Sequence, residues 1–321
     1  MRRLLRFTAS SFIALLLLAV AGGIGAVFVL DRYARDIPEH EQLAVYQPPT
    51  VTRIHAGDGR LLSEYAHENR IFVPIEAIPD HVKLAFVSAE DKNFYQHAGI
   101  DPLGVVRAAI DNVENWRAGR RPQGASTITQ QVAKNFLLSN ELSFDRKLKE
   151  ALLALEMERS FDKDHILELY LNEIFLGRRA YGVAAAAINY FDKSLDELTI
   201  AEAAFLAGLP KAPSRYDPDR RPDEAVWRRN YVLGRMAEDG VIDRATAETA
   251  LAEPLVTFDR TTVDYAEADF FTEEVRRGLV AELGEQGFYE SGLSVRTTVE
   301  PELQAVADRA LRDGLAAYDR R

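Results

Sequence analysis

The stretch DRKLKEALLALEMERSF, residues 145–161, repeats its apolar side chains every three to four positions. Leu148, Ala151, Leu152 and Leu155 form one stripe and charges occupy the other face, which predicts an amphipathic helix against a core. The same spacing extends in both directions. From Ile78 to about Leu251 apolar residues recur at helical intervals with few β-branched runs, so the body of the chain reads as mainly α. DKDHILELYLNEIFLG (162–177) predicts a further helix, opening on Asp162 or Asp164 and closing on Gly177. Before this body, TVTRIHAGDGRLLSEYAHE (50–68) reads as two β runs around Gly57-Asp58-Gly59, a hairpin with a Gly-rich turn. After it, GLSVRTTVEPELQAVADRALRDGLAAYDRR (292–321) gives one strand and then a helix beyond Pro301.

The 321 residues carry Lys+Arg 39 against Asp+Glu 50, a formal charge of −11, which argues against nucleic acid as a partner. A hydrophobic share of 47% with 28% charged residues is a globular balance and excludes wholesale disorder. With Cys 0 there is no disulfide framework, thiolate metal site or cysteine nucleophile. His40, His55, His67, His81, His97 and His165 are scattered without zinc-site spacing. No lysine follows Lys211, and residues 219–321 hold 14 arginines against 22 acids, which marks a module of different composition.

Thr8 to Leu30 contains no charge and is long enough to cross a bilayer as a helix. Arg2, Arg3 and Arg6 precede it and Asp31 closes it, so the N-terminus is expected inside and the remainder outside. A cleavable signal peptide is the rival reading, since Ala19-Val20-Ala21 resembles a cleavage site. The expected organisation is a cytoplasmic tail (1–7), a transmembrane helix (8–30), a stalk with the hairpin (31–77), a helical domain (78–251) and a linker segment (252–321).

Chemically able residues cluster in AEDKNFYQHAGID (89–101), where Ala85, Phe86 and Ala89 continue an apolar helix face and leave Glu90 at the end of a buried helix. Burial there can raise a carboxylate pKa and make a usable base. Taken singly, Glu90, Asp91 or His97 would each read as a solvated or helix-terminal charge. RRPQGASTITQQVAKN (120–135) offers two arginines, Ser126, Thr127, Thr129, Gln130, Gln131, Lys134 and Asn135, donors and cations suited to a phosphate-bearing sugar. Its plainer reading is a polar loop running into a capped helix. Arg146 and Glu150 share a helix face at i, i+4, beside Lys147. The stretch 102–121 is amphipathic, with Leu103, Val106, Ile110 and Val113 on one side and Trp116 near its end, and suits either a core or a membrane interface.

EDxxFxxHxGxD (Glu90 to Asp101), GASTITQQxxKN (Gly124 to Asn135), RKxxExxxAxxxE (Arg146 to Glu158), ILELYLNxxxxGxxxxG (Ile166 to Gly182) and AxLAGLPxxPxxYxP (Ala204 to Pro218) follow in series. This ordered set resembles the peptidoglycan glycosyltransferases of glycosyltransferase family 51, and the whole chain resembles the first half of a class A penicillin-binding protein. The resemblance implies a lysozyme-like helical glycosyltransferase domain with one N-terminal membrane helix and small flanking β elements. It implies polymerisation of lipid II onto a glycan held on undecaprenyl pyrophosphate, at the outer face of a bacterial cytoplasmic membrane, with other cell-wall synthesis proteins as partners. By the same resemblance Glu90 is the general base and Glu150 positions the diphosphate or a divalent ion, Mg or Mn. Lys134 and Arg146 neutralise the departing diphosphate, Lys147 binds substrate beside them, and Phe94, Ser126, Gln130, Gln131 and Asn135 line the donor side. A lysozyme-like hydrolase and a non-catalytic scaffold are the competing classes. A hydrolase needs a proton donor for a poor leaving group, which the cation-rich 120–150 region does not suggest. The Ser160-to-Lys163 spacing has none of the other motifs of a serine transpeptidase, so no transpeptidase activity is expected of these residues.

Overall fold

The computed structural model describes residues 43, 51–65, 69–117, 126–137, 144–258, 268–289 and 291–321. The span expected at 8–30, the stalk at 31–50 apart from Leu43, and the loop residues 120–125 lie outside the described residues. Among those described, no helix is long and apolar enough to cross a membrane. In chain order the elements are β1 (Thr52–His55), β2 (Leu61–Tyr65), β3 (Asn69–Arg70), α1 (Asp80–Glu90), α2 (Pro102–Arg117), α3 (Ile128–Leu137), α4 (Phe144–Ser160), α5 (Lys163–Glu173), β4 (Ala180–Tyr181), α6 (Val183–Phe191), α7 (Ile200–Gly208), α8 (Pro222–Glu238), α9 (Arg244–Ala252), α10 (Asp269–Tyr289), β5 (Ser294–Arg296) and α11 (Pro301–Asp319). The chain divides into two compact units, one of residues 1–45 and 97–162, the other of residues 46–96 and 163–321. The helical domain read at 78–251 therefore belongs partly to each.

The second unit carries the sheet and most of the helices. β1 and β2 form the expected antiparallel hairpin, with Arg53 opposite Glu64 and the two side chains 2.9 Å apart. β5 adds to β1 in parallel, giving the order β2-β1-β5. Ile54, Ala56 and Leu62 pack with Ala268 and Phe288 against this sheet. Residues read from sequence as part of a linker thus complete the hairpin's own core. The reason is local: an isolated two-stranded ribbon buries too little apolar surface to persist.

Beyond the sheet, α1 lays Val82, Ala85 and Phe86 into the core, where the alanine-rich α7 lets helices approach closely. Thr199 opens α7 through a capping box with Glu202, satisfying donors at both positions. The helix predicted to run to Gly177 stops instead at Glu173. The chain folds back on itself there, with Phe175 bridged to Tyr181 and the Leu176 amide donating to Ala180 O. Gly182 ends this turn at φ 80°, and a Cβ on it would lie 2.7 Å from Asn172 O, so only glycine fits. Asn172 in turn ties the 73 segment to α5, accepting from the Val73 amide and donating to Val73 O.

In the first unit α3 packs on α4 through buried Val132 and Ala133 on one side and Leu153, Ala154 and Met157 on the other. The α2 helix exposes the apolar face that the sequence outlines: Leu103 is 73% exposed and Trp116 80%, with Val106, Ile110 and Val113 also exposed.

Candidate active site

Glu90 is the last residue of α1, its side chain 15% exposed. Arg228, from the buried face of α8, brings Nη2 to 3.8 Å from Glu90 Oε1. The guanidinium is fixed from three sides: Nε donates to Gly208 O at 3.0 Å, and the rings of Tyr216 and Tyr231 lie 5.8 and 4.9 Å from its central carbon. Gly208 makes the approach feasible, since a Cβ there would stand 2.9 Å from Arg228 Cγ. Lys211 follows on the adjoining turn. Crowding by protein, then the charge of Arg228, hold its ammonium below the ordinary lysine value, with Glu90 pulling the other way. A carboxylate here is therefore backed by an immobile cation at the end of a rigid helix.

Phe94 does not line a surface. It is fully buried, with Lys163 Nζ 4.4 Å above its ring and Tyr95 packed edge-on at 5.1 Å. Tyr95 donates to Asp164 at 3.1 Å, and burial together with that carboxylate pushes its phenol up to about 12. Phe94 supports the loop after Glu90 from inside the fold.

A second cluster lies in the other unit. Glu150 is 2% exposed, with Lys147 Nζ donating to Oε2 at 2.7 Å and Arg146 Nη1 2.8 Å from Oε1. The Arg146 contact is ionic and lacks hydrogen-bond alignment. Lys147 also donates to Ser126 Oγ at 2.9 Å, joining the loop before α3 to α4. Gln131, Lys134 and Asn135 share the opposite side of α3, where Lys134 and Asn135 are exposed.

Gln130 turns its amide oxygen to the backbone. Its Oε1 accepts from the Thr127 amide at 3.0 Å while Thr127 Oγ1 accepts from the Gln130 amide, a capping box that starts α3. Thr127 Oγ1 also donates to Gly99 O, and Thr129 Oγ1 donates to Glu158 Oε1, both at 2.6 Å. Gly99, at φ 91°, lies so close to α4 that a Cβ would meet Ala154 O at 2.6 Å. His97 Nδ1 accepts from the Gly99 amide and Asp101 Oδ1 from the Gly104 amide. Much of the polar motif chemistry thus holds the loops in shape.

No three histidines, aspartates or glutamates converge among the described residues. Each Glu150 oxygen already faces a cation, so this carboxylate does not fit as a divalent-metal ligand.

Residues 58–237 match the sequence model of the transglycosylase family. The chain belongs to that family. The transglycosylase stretch contains both clusters, from Glu90 through Glu150 to Arg228. The chain is similar to penicillin-binding protein 1A of Rickettsia felis, 50% identical over 306 residues, covering 95% of this chain and 39% of that protein. Penicillin-binding protein 1A of Aquifex aeolicus is 43% identical over 303 residues, covering 94% of this chain and 41% of the relative. The chain thus spans about two fifths of the length of these relatives. The crystal structure of penicillin-binding protein 1A from Haemophilus influenzae superposes at a TM-score of 0.53 with 32% identity, over 85% of this chain and 30% of the other.

Motif spacing in this transglycosylase assigns no role to Arg228 or Lys211. A signal for the first is present in the sequence: Ala225, Arg228, Arg229, Val232, Leu233 and Met236 form the buried stripe of α8. Charges on an apolar stripe demand partners. Arg229 finds backbone carbonyls at Leu251 and Glu253, and Arg228 finds Glu90.

Proposed function

We propose that this chain is a peptidoglycan glycosyltransferase that polymerises lipid II. The observation that carries the reading is Glu90, a carboxylate partly open to solvent, held at a helix end by a buried guanidinium within the transglycosylase stretch. Glu90 takes the proton of the acceptor 4-hydroxyl as its oxygen bonds to the donor C1. The C1–oxygen bond to the diphosphate breaks in the same displacement and inverts the anomeric centre. The diphosphate leaves as an anion, so no acid is required on that side. Lys134, Arg146 and Lys147 stabilise the charge it gains, with Ser126, Gln131 and Asn135 as neutral donors. Glu150 acts by holding Arg146 and Lys147 in place. No step requires a protein-held metal; a divalent ion, if used, enters with the diphosphate.

The substrate's lipid tail places the reaction at a bilayer. The exposed apolar face of α2 supports docking of that helix in the interface, and residues 8–30 anchor the chain with the N-terminus inside and the body outside. Other proteins of wall synthesis are its expected neighbours.

The test is to incubate the full chain with lipid II and, separately, with finished glycan. Lipid II should be consumed, and Glu90→Gln should slow this by at least ~10²-fold while melting normally. Cleavage of finished glycan instead would make the protein a hydrolase. Undiminished polymerisation by folded Glu90→Gln would remove Glu90 as the base.

A further inference from the structure

Tyr170 stands on α5 with 1% of its surface exposed, and its hydroxyl has no hydrogen-bond partner among the described residues. A buried hydroxyl in that state costs stability that phenylalanine, filling the same space, would not. Its surroundings explain why the oxygen is there. The ring packs edge-on to Phe86, centroids 6.2 Å apart at 74°. Phe86 lies one turn before Glu90 on the same face of α1. Burial, then the charges of Glu90 and Asp91, push the phenol well above its ordinary range. The group therefore favours its neutral, hydrogen-donating form near Glu90 and Asp91.

We propose that the Tyr170 hydroxyl is a positioning donor for Glu90, hydrogen-bonding the carboxylate in its base-competent orientation and holding it ionised and aimed at the acceptor. This rests on the reading of Glu90 as the base. Arg228 supplies charge without a hydrogen bond: at 3.8 Å its contact with Glu90 is longer than one, and its Nε is tied to Gly208 O. Among the charged groups acting around Glu90 are Arg228 from α8, Lys211 from the turn after α7 and Asp91 at the end of α1, with Tyr170 contributed by α5. The phenol is the neutral member of this set, and its hydroxyl makes no hydrogen bond among the described residues, so it is available to the carboxylate.

The experiment compares the full chain in detergent with Tyr170→Phe and with fluorotyrosine at 170, a stronger donor of nearly the same shape. Glutamate is labelled with ¹³C at the side-chain carboxyl, and the Glu90 resonance is assigned by its loss in Glu90→Gln. In Tyr170→Phe the Glu90 carboxyl should titrate about one pH unit higher, and the acid limb of kcat/KM on lipid II should move with it. Activity below the limb then falls about tenfold, activity above it changes little, and the melting temperature holds or rises. Fluorotyrosine should shift both curves the opposite way. Unchanged titration of Glu90 in folded Tyr170→Phe overturns the proposal, as does a loss of activity equal at every pH. The titration does not use turnover, so a parent chain inactive on lipid II would sink the functional reading while the hydrogen bond was still decided.

Discussion

Replacing Gly208 by alanine sets two effects against each other. Gly208 closes α7, and an alanine there would ordinarily gain about 0.5–1 kcal/mol from reduced chain entropy in the unfolded state. The new Cβ, however, would stand 2.9 Å from Arg228 Cγ, 3.6 Å from Nε and 3.7 Å from Cδ. These are atoms of the arginine stem, and the stem is held between aromatic rings, so relief must come from moving the whole side chain. Overpacking of this kind costs about 1–3 kcal/mol, and straining the bond from Nε to Gly208 O adds to it. The clash wins, for a net destabilisation of about 1–2 kcal/mol and a melting temperature lower by roughly 2–8 °C. Activity should suffer more than stability. Arg228 would be pushed relative to Glu90, and a misplacement near 1 Å can cost about 10²-fold in rate. The assay pairs a thermal melt with polymerisation of lipid II at a temperature where both proteins are folded. Gly234→Ala is the control, because a Cβ on that glycine would meet nothing within 4 Å, and it should give a small gain in stability with full activity. A Gly208→Ala protein that melts higher and works normally would show that the contact between Gly208 and Arg228 is irrelevant.

Glu150→Ala should abolish most activity, since it leaves Arg146 and Lys147 without the anion that orders them, whereas Glu158→Ala should chiefly loosen the tie to Thr129; equal residual rates would refute that division. Lys134→Ala and Arg146→Ala should lower kcat as well as raise KM, because their attraction strengthens as the diphosphate departs; kinetics confined to KM would mean ground-state binding only. Ile110→Asp and Trp116→Asp, on the exposed face of α2, should weaken liposome binding with the melt unchanged, and unaltered partition would return that face to an ordinary surface.

Legibility of the fold follows burial. The helix at 145–161 and the Gly-Asp-Gly hairpin are local patterns and both appear, but the buried face of that helix is Leu153, Ala154 and Met157, while the expected stripe at Leu148, Ala151, Leu152 and Leu155 is only half-buried. The stop of α5 at Glu173 is not legible, because Phe175 and Leu176 continue the apolar spacing while a bridge to Tyr181 redirects the chain. For the site, spacing identifies the Arg146–Glu150 pair correctly, since i, i+4 geometry is intrinsic to a helix. Spacing does not foretell that Phe94 is buried or that Gln130 Oε1 bonds the backbone, because a motif position does not say which way a side chain faces. The T-x-x-Q pattern from Thr127 to Gln130 carries the signal of the cap. Arg228 is out of reach by motif alone, being separated from Glu90 by most of a domain and joined to it only through folding.

The parallel pairing of β5 with β1 makes the order of synthesis matter. Thr52 Oγ1 donates to Phe288 O, 236 positions later, and Thr297 Oγ1 donates to His55 O across 242. During translation at about 5–20 residues per second, β1 waits tens of seconds with one edge unpaired. Such an edge is a template for other strands. Ending the chain at residue 237, where the matched transglycosylase stretch closes, would make that wait permanent, leaving Ile54 and Leu62 without Phe288 against them. A recombinant version ending before Arg296 should therefore be prone to aggregation for a reason unrelated to catalysis.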